Sequence, residues 1–192
     1  MLQNFEGIVV VDEAYSDFAS VQPFRAYLDK FPNMIVLNTM SKAWGCAGLR
    51  LGMAFASKDI IDIFNKVKYP YNINILTQKQ AIEILKDPFQ VDEWVKVILQ
   101  ERGKVVAAFL DLPICEKVYP TDANFFLAKM VDAQAIYDYL VKMGIIVRNR
   151  NTVQLCGNCL RITIGKKSEN IELLAALRQY QQGYDIAKKE QE

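Results

Sequence analysis

The chain has 192 residues, 52% hydrophobic and 23% charged, with a net charge of +1 and no histidine. This is the composition of a globular protein with ample core, and it offers no basic block for nucleic acid or an anionic membrane surface. Without histidine there is no Ser-His-Asp or Cys-His nucleophile and no histidine-ligated metal, and no apolar run approaches membrane-spanning length.

The opening, Met1 to Gly7, carries Asn4 and Glu6 where a signal peptide would need apolar residues, so a cytoplasmic location is expected. Ile8-Val9-Val10-Val11 predicts a strand buried on both faces, as inside a parallel sheet, and Asp12-Glu13-Ala14-Tyr15 follows at its carboxyl end. A carboxylate there is costly unless it has a partner. The plainer readings are a helix cap or ion pair for Asp12 and a core aromatic for Tyr15. Pro23 to Asp29 reads as a short crossover helix, and Met34 to Asn38 as a strand returning parallel to the first. Almost no chain precedes the first strand, although it should lie mid-sheet, so one sheet edge is expected to be unpaired.

The stretch Thr39-Met40-Ser41-Lys42-Ala43-Trp44-Gly45-Cys46-Ala47-Gly48-Leu49-Arg50-Leu51-Gly52 comes next. Ligands in open α/β sheets sit at the carboxyl ends of strands, which is where Lys42 stands. A desolvated lysine beside other cations loses part of its preference for the charged form, and a neutral amine can attack a carbonyl to give a Schiff base. Arg50 offers a fork of donors suited to a phosphate. A lysine with a phosphate site suggests pyridoxal phosphate. Its protonated ring nitrogen would then be the partner of Asp12, and Tyr15 could donate to the ring oxygen. Taken alone, the loop also reads as a surface segment with a solvated Lys42 and an ion-paired Arg50.

Arg50 to Ala56 reads as a further strand, and Ser57 as the cap of a helix with Ile60, Phe64 and Val67 on its apolar face. Tyr69-Pro70-Tyr71-Asn72 breaks that helix, and Thr77 to Lys86 is another. Asp87 caps a long helix, Phe89 to Leu110, in which Gly103 costs about 1 kcal/mol relative to alanine; the domain boundary is placed in this helix. Beyond Pro113 the pattern gives strand Ala123 to Lys129, helix Ala133 to Met143, strand Ile145 to Arg148, strand Leu160 to Gly165 and helix Glu169 to Tyr180. Ile136, Leu140 and Met143 should share one face of the first of these helices, with Gly144 stopping it; Ser168 should cap the second, and Gln181 to Glu192 should fray. Two arginines on or beside neighbouring strands, Arg148 and Arg161, could bind one phosphate bidentately; the alternative is pairing with surface acids. Cys156-Gly157-Asn158-Cys159 admits a redox pair or half a zinc site, but Cys46 and Cys115 lack the spacing for the other half, so a turn is the favoured reading and no metal is expected.

Four ordered blocks, Val11-Asp12-Glu13-Ala14-Tyr15, Thr39-Met40-Ser41-Lys42-Ala43, Ala47-Gly48-Leu49-Arg50-Leu51-Gly52 and Leu160-Arg161-Ile162-Thr163-Ile164-Gly165, together resemble the fold-type I, class I/II pyridoxal-phosphate aminotransferases, most closely the histidinol-phosphate aminotransferases. The resemblance runs from about Phe5 to Tyr180. It implies an α/β fold, with residues 1–88 as an incomplete cofactor-binding large domain on a mostly parallel sheet and 89–192 as a small C-terminal α/β domain. It implies that Lys42 is the Schiff-base lysine and general acid/base of the 1,3-proton shift, that Asp12 partners the ring nitrogen, and that Tyr15 donates to the ring oxygen. Thr39, Ser41 and Arg50 would hold the cofactor phosphate, Arg161 the substrate's anionic end, and Arg148 would be a second basic residue beside it. The implied substrates are a phosphorylated amino compound and glutamate/2-oxoglutarate in histidine biosynthesis, and the implied assembly is a homodimer.

The family enzyme is roughly twice this length, so a carboxyl-terminal portion is expected, lacking the phosphate-cradling loop, the aromatic that stacks on the ring, an asparagine near the ring oxygen and a tyrosine lent by the neighbouring subunit. Three alternatives stand beside the transaminase reading: a threonine-phosphate decarboxylase on the same scaffold, a non-catalytic folded fragment, and a thiol-based binding module on Cys156 and Cys159.

Overall fold

A computed structural model describes Leu2 and residues 4–189, with side chains through Tyr184. The boundary between two compact units falls between Val95 and Lys96, inside helix α3 (Pro88–Leu110).

The first unit is built on a three-stranded sheet in the order β1 (Val9–Asp12), β2 (Met34–Thr39), β3 (Gly52–Ala56). β1 and β2 are parallel, with Asp12 opposite Leu37, and β3 returns antiparallel, with Gly52 opposite Thr39. Met34, Ile35 and Val36 are buried in β2. β1 differs from the doubly buried strand its four β-branched residues predict: it pairs on one side only, its burial alternates, and Val10 is 55% exposed. β-branched residues suit a pleated surface whichever face is covered, so their presence fixes the strand and not its second layer.

The crossover from β1 to β2 holds two 3-10 turns, Ser16–Phe18 and Phe24–Tyr27, where one helix over 23–29 was expected. So short a segment gains too few hydrogen bonds to offset helix nucleation; its anchor is Glu13, whose buried carboxylate accepts from Phe24 N at 2.7 Å. Helix α1 (Lys58–Val67) starts after Ser57 as predicted, but the serine side chain makes no capping bond. Helix α2 (Ile75–Ile84) begins two residues before the predicted Thr77, because Asn74 Oδ1 accepts from Thr77 N at 2.9 Å.

The second unit places a four-stranded antiparallel sheet, in the order β4 (Cys115–Val118), β5 (Phe125–Met130), β7 (Cys159–Thr163), β6 (Arg148–Asn149), against α4 (Ala133–Lys142), α5 (Lys167–Lys189) and the end of α3. Phe109, Phe126, Met130, Ile136, Leu140, Leu160, Ile162 and Leu177 form one continuous core, with Phe109 and Phe126 edge to face at 4.9 Å.

Several edges of the predicted elements move here. β4 was not foreseen, since Cys115-Glu116-Lys117-Val118 carries no apolar alternation. Met143 is 48% exposed and lies outside the apolar face formed by Ile136 and Leu140; Gly144 ends the turn at φ 78°. β6 is only two residues long, because Ile145 N still bonds back to Leu140 O at 2.8 Å and closes the helix end. α5 starts at Lys167, which leaves Ser168 inside it. Lys166 N instead donates to Glu169 Oε2 at 2.7 Å, one half of a capping box. Gly165 makes room for this cap: a Cβ there would stand 2.6 Å from the same Glu169 oxygen. Finally, α5 continues to Lys189 where fraying was expected. Gln181 is buried, and its Oε1 accepts from Ile114 N at 2.9 Å, satisfying a buried backbone donor.

Candidate active site

The parallel pairing of β1 and β2 brings Asp12, Tyr15, Thr39, Ser41 and Lys42 to the same carboxyl end of the sheet. Asp12 is exposed; its Oδ1 accepts from Ala14 N at 3.0 Å, and its second oxygen is left for another donor. Tyr15 is half-buried at the start of the Ser16–Phe18 turn. The Lys42 amine lies 5.1 Å from the centre of the Tyr15 ring, a cation–π arrangement joining residues from two strands' ends.

The loop after β2 is held from below. Met40 and Ala43 are buried while Ser41 and Lys42 between them face outward. Gly45 N donates to Lys42 O at 3.0 Å and Cys46 N to Met40 O at 2.9 Å, closing the turn beneath the lysine. Thr39 Oγ1 accepts from Ser41 N at 3.1 Å and lies 3.0 Å from Ser41 Oγ, so the two hydroxyls sit side by side. Arg50 occupies the left-handed region at φ 51°, and its Nη1 donates to Ala47 O at 3.0 Å. Thr77 Oγ1 reaches Leu49 O at 3.4 Å and ties α2 to the turn that delivers Arg50.

Lys42 is exposed, and the Arg50 fork turns back on its own loop to Ala47 O.

Asn38 and Glu13 support this end of the sheet and were not singled out in the sequence. Asn38 is buried; its Nδ2 donates to Ser16 Oγ at 3.3 Å and its Oδ1 accepts from Thr39 N, so one side chain joins the segment bearing Tyr15 to that bearing Thr39. The available signal was an amide closing an otherwise apolar strand. Glu13 Oε2 and Asp17 Oδ2 are buried without hydrogen-bond partners. Burial raises the Asp17 carboxyl above its ordinary value, Arg25 opposes the rise, and Glu13 adds to it. Burial likewise pushes the Cys46 thiol up.

In the second unit Arg148 and Arg161 are directly opposite in the β6–β7 register. Opposed residues of an antiparallel pair share a face, and like charges in that position repel. The Arg161 guanidinium stacks 4.8 Å from the Phe125 ring centre, while its Nε is buried with no hydrogen-bond partner. Neither arginine forms a salt bridge among the described residues. Two forks and an unfilled donor on one face suit an anion with several oxygens. Cys156, in the turn before β7, and Cys159, the first residue of β7, are free thiols, and among the described residues no group of three or more metal-ligating side chains could hold a metal ion.

Histidinol-phosphate aminotransferase of Bacteroides fragilis strain YCH46 is 55% identical to the chain over 181 residues, which are 94% of the chain and 52% of that protein. The structure of the histidinol-phosphate aminotransferase from Clostridium acetobutylicum matches 92% of the chain and 55% of its own with a TM-score of 0.86 at 24% identity, a likeness of fold. That from Sinorhizobium meliloti, in complex with pyridoxal-5'-phosphate, matches 92% of the chain and 49% of its own, with a TM-score of 0.80 and 27% identity. The chain spans about half the length of the curated relatives it matches. No helix among the described residues is long and apolar enough to cross a membrane. Residues 1–177 match the family of class I and II aminotransferases, and the chain belongs to that family.

Proposed function

We propose that the chain carries the cofactor lysine and the substrate arginines of a pyridoxal-phosphate-dependent aminotransferase acting on histidinol phosphate and 2-oxoglutarate, a step of histidine biosynthesis. The observation that carries this reading is the Lys42 amine against the Tyr15 ring at the carboxyl end of the parallel strands. The residues fit the cofactor: Asp12 keeps one carboxylate oxygen open, the hydroxyls of Thr39 and Ser41 adjoin, and the fork of Arg50 has donors beyond the one spent on Ala47.

Pyridoxal phosphate, when bound, supplies an electron sink for the pair left at the substrate Cα. Lys42 Nζ, held beside the Tyr15 ring, would be the group that holds the cofactor and moves the proton at the substrate Cα. Asp12 would partner the ring nitrogen through its open carboxylate oxygen and hold a proton there. The Tyr15 hydroxyl would donate to the ring oxygen, and Thr39, Ser41 and Arg50 would hold the phosphate. Arg148 and Arg161 grip the substrate's phosphate ester, the charge that resolves their mutual repulsion across β6 and β7. A cytoplasmic homodimer completes the reading; the exposed apolar side chains Tyr69, Tyr71, Leu76 and Phe89 support its association.

Titration with histidinol phosphate and with histidinol tests the substrate assignment. The phosphate ester should bind and the alcohol should not, and Arg161→Ala should weaken binding by about 10- to 100-fold, the loss of a charge-assisted pair worth roughly 1.5–3 kcal/mol. Equal binding of the two ligands would contradict the role of the arginines. Carbon dioxide release from O-phosphothreonine would place the chain with the decarboxylases.

A further inference from the structure

The turn Cys156-Gly157-Asn158-Cys159 takes no part in the proposed chemistry, yet it is among the most constrained backbone in the second unit. Cys159 N donates to Cys156 O at 3.0 Å, closing a four-residue turn, and Asn158 sits left-handed at its third position, φ 57°. Leu155, immediately before the turn, is also left-handed at φ 64° while 93% exposed. Leu155 is the third position of a preceding turn, closed by Cys156 N donating to Val153 O at 3.0 Å, so two consecutive turns share Cys156.

Three further bonds pin the segment. Met130 N donates to Asn158 O at 2.8 Å, Arg150 N to Cys159 O at 2.9 Å, and Asn158 N to Asn151 Oδ1 at 2.8 Å. These bonds hold Asn158 and Cys159 against β5 and the residues just after β6, and the turn bond ties Cys156 to Cys159. A hydrogen-bonded turn brings its first and fourth Cα atoms within about 7 Å, and a disulfide spans Cα separations of about 4.4–6.8 Å.

The Cys159 thiol lies 3.5 Å from Gly157 O, folded back over its own turn. Cys159 is 1% exposed, whereas Cys156 is half-buried and within reach of a reagent. Burial raises the Cys159 thiol, and the charge of a neighbouring Cys156 thiolate raises it further, so the inner thiol is the slower nucleophile and the outer one the point of attack.

We propose that Cys156 and Cys159 form a reversible disulfide, a redox modification site at the entrance to β7. A low-molecular-weight disulfide of the glutathione class serves as oxidant. The Cys156 thiolate attacks one oxidant sulfur, forming a mixed disulfide and expelling the first thiolate. The Cys159 thiolate then attacks the Cys156 sulfur and expels the second. The two cysteine protons end on the two expelled thiols: one protein disulfide is made and one oxidant disulfide is reduced. Arg161 stands two residues beyond the closed ring.

The test equilibrates the whole chain in glutathione buffers of increasing oxidised fraction, quenches with acid, alkylates the remaining thiols and maps the peptides. The expected result is the joint loss of two of the four free thiols, reversed by dithiothreitol, with Cys156 and Cys159 in one cross-linked peptide. In Cys159→Ser the same buffers should instead leave glutathione on Cys156. The proposal is overturned if both thiols stay free at the most oxidising buffer, if the unaltered chain stops at the mixed disulfide, or if either cysteine pairs with Cys46 or Cys115.

Discussion

Asp17 is a carboxyl group whose burial works against its charge: Oδ2 has no donor, and the desolvated group is raised above its ordinary value. Protonation then favours the folded state, so the unfavourable contribution of Asp17 is absent below the unfolded carboxyl pKa of about 3.9 and appears as pH rises through the higher folded value. Asp17→Asn should raise the melting temperature at neutral pH and leave it unchanged at strongly acid pH. An equal change at both would show that the effect is not the charge. Residue chemistry was legible in the sequence where it depends on neighbours along the chain. Lys42 could be placed because an apolar strand precedes it and glycines break the loop after it. Its exposure could not, because solvent access depends on segments distant in sequence, and neither could the return of Arg50 onto Ala47, which follows from a left-handed backbone that arginine seldom adopts.

Helices and strands were legible wherever a period or a cap announced them. β2, β5, β7 and α4 lie within a few residues of their expected bounds because each alternates, or repeats its apolar positions, against one core. Elements held by single polar bonds were not. β4 is recruited by pairing with β5, and the end of α5 is kept helical past Tyr180 by Gln181 reaching Ile114 N; neither leaves a hydrophobic pattern to read. Gln181→Ala should therefore cost about 1–3 kcal/mol, the penalty for a buried donor left unpaired, measured by urea denaturation. A loss under about 0.5 kcal/mol, ordinary for a surface substitution, would mean the α5 end is the frayed tail its composition suggests.

On the scale of the whole molecule, an α/β chain and the four family blocks were legible in the sequence, while the mixed sheet of the first unit became visible only in the structure, with β3 antiparallel to β2. A strand's direction is set by the end of the sheet at which its connection re-enters, the same end for an antiparallel neighbour and the opposite end for a parallel one, and no local pattern records it. The same unit exposes large apolar side chains, Tyr71 at 96% and Phe89 at 79%, area that a second copy would cover in the homodimer of the proposed reading. Sedimentation equilibrium should accordingly show a mass that rises with concentration toward a dimer, and Tyr71→Ser with Phe89→Ser should reduce that rise; a monomer at all concentrations would remove the homodimer from the account. The most direct measurement of the central claim is borohydride reduction of the chain with pyridoxal phosphate, followed by peptide mapping. The account predicts covalent cofactor at Lys42 and its loss in Lys42→Ala. Label spread over surface lysines, unchanged by that substitution, would contradict it.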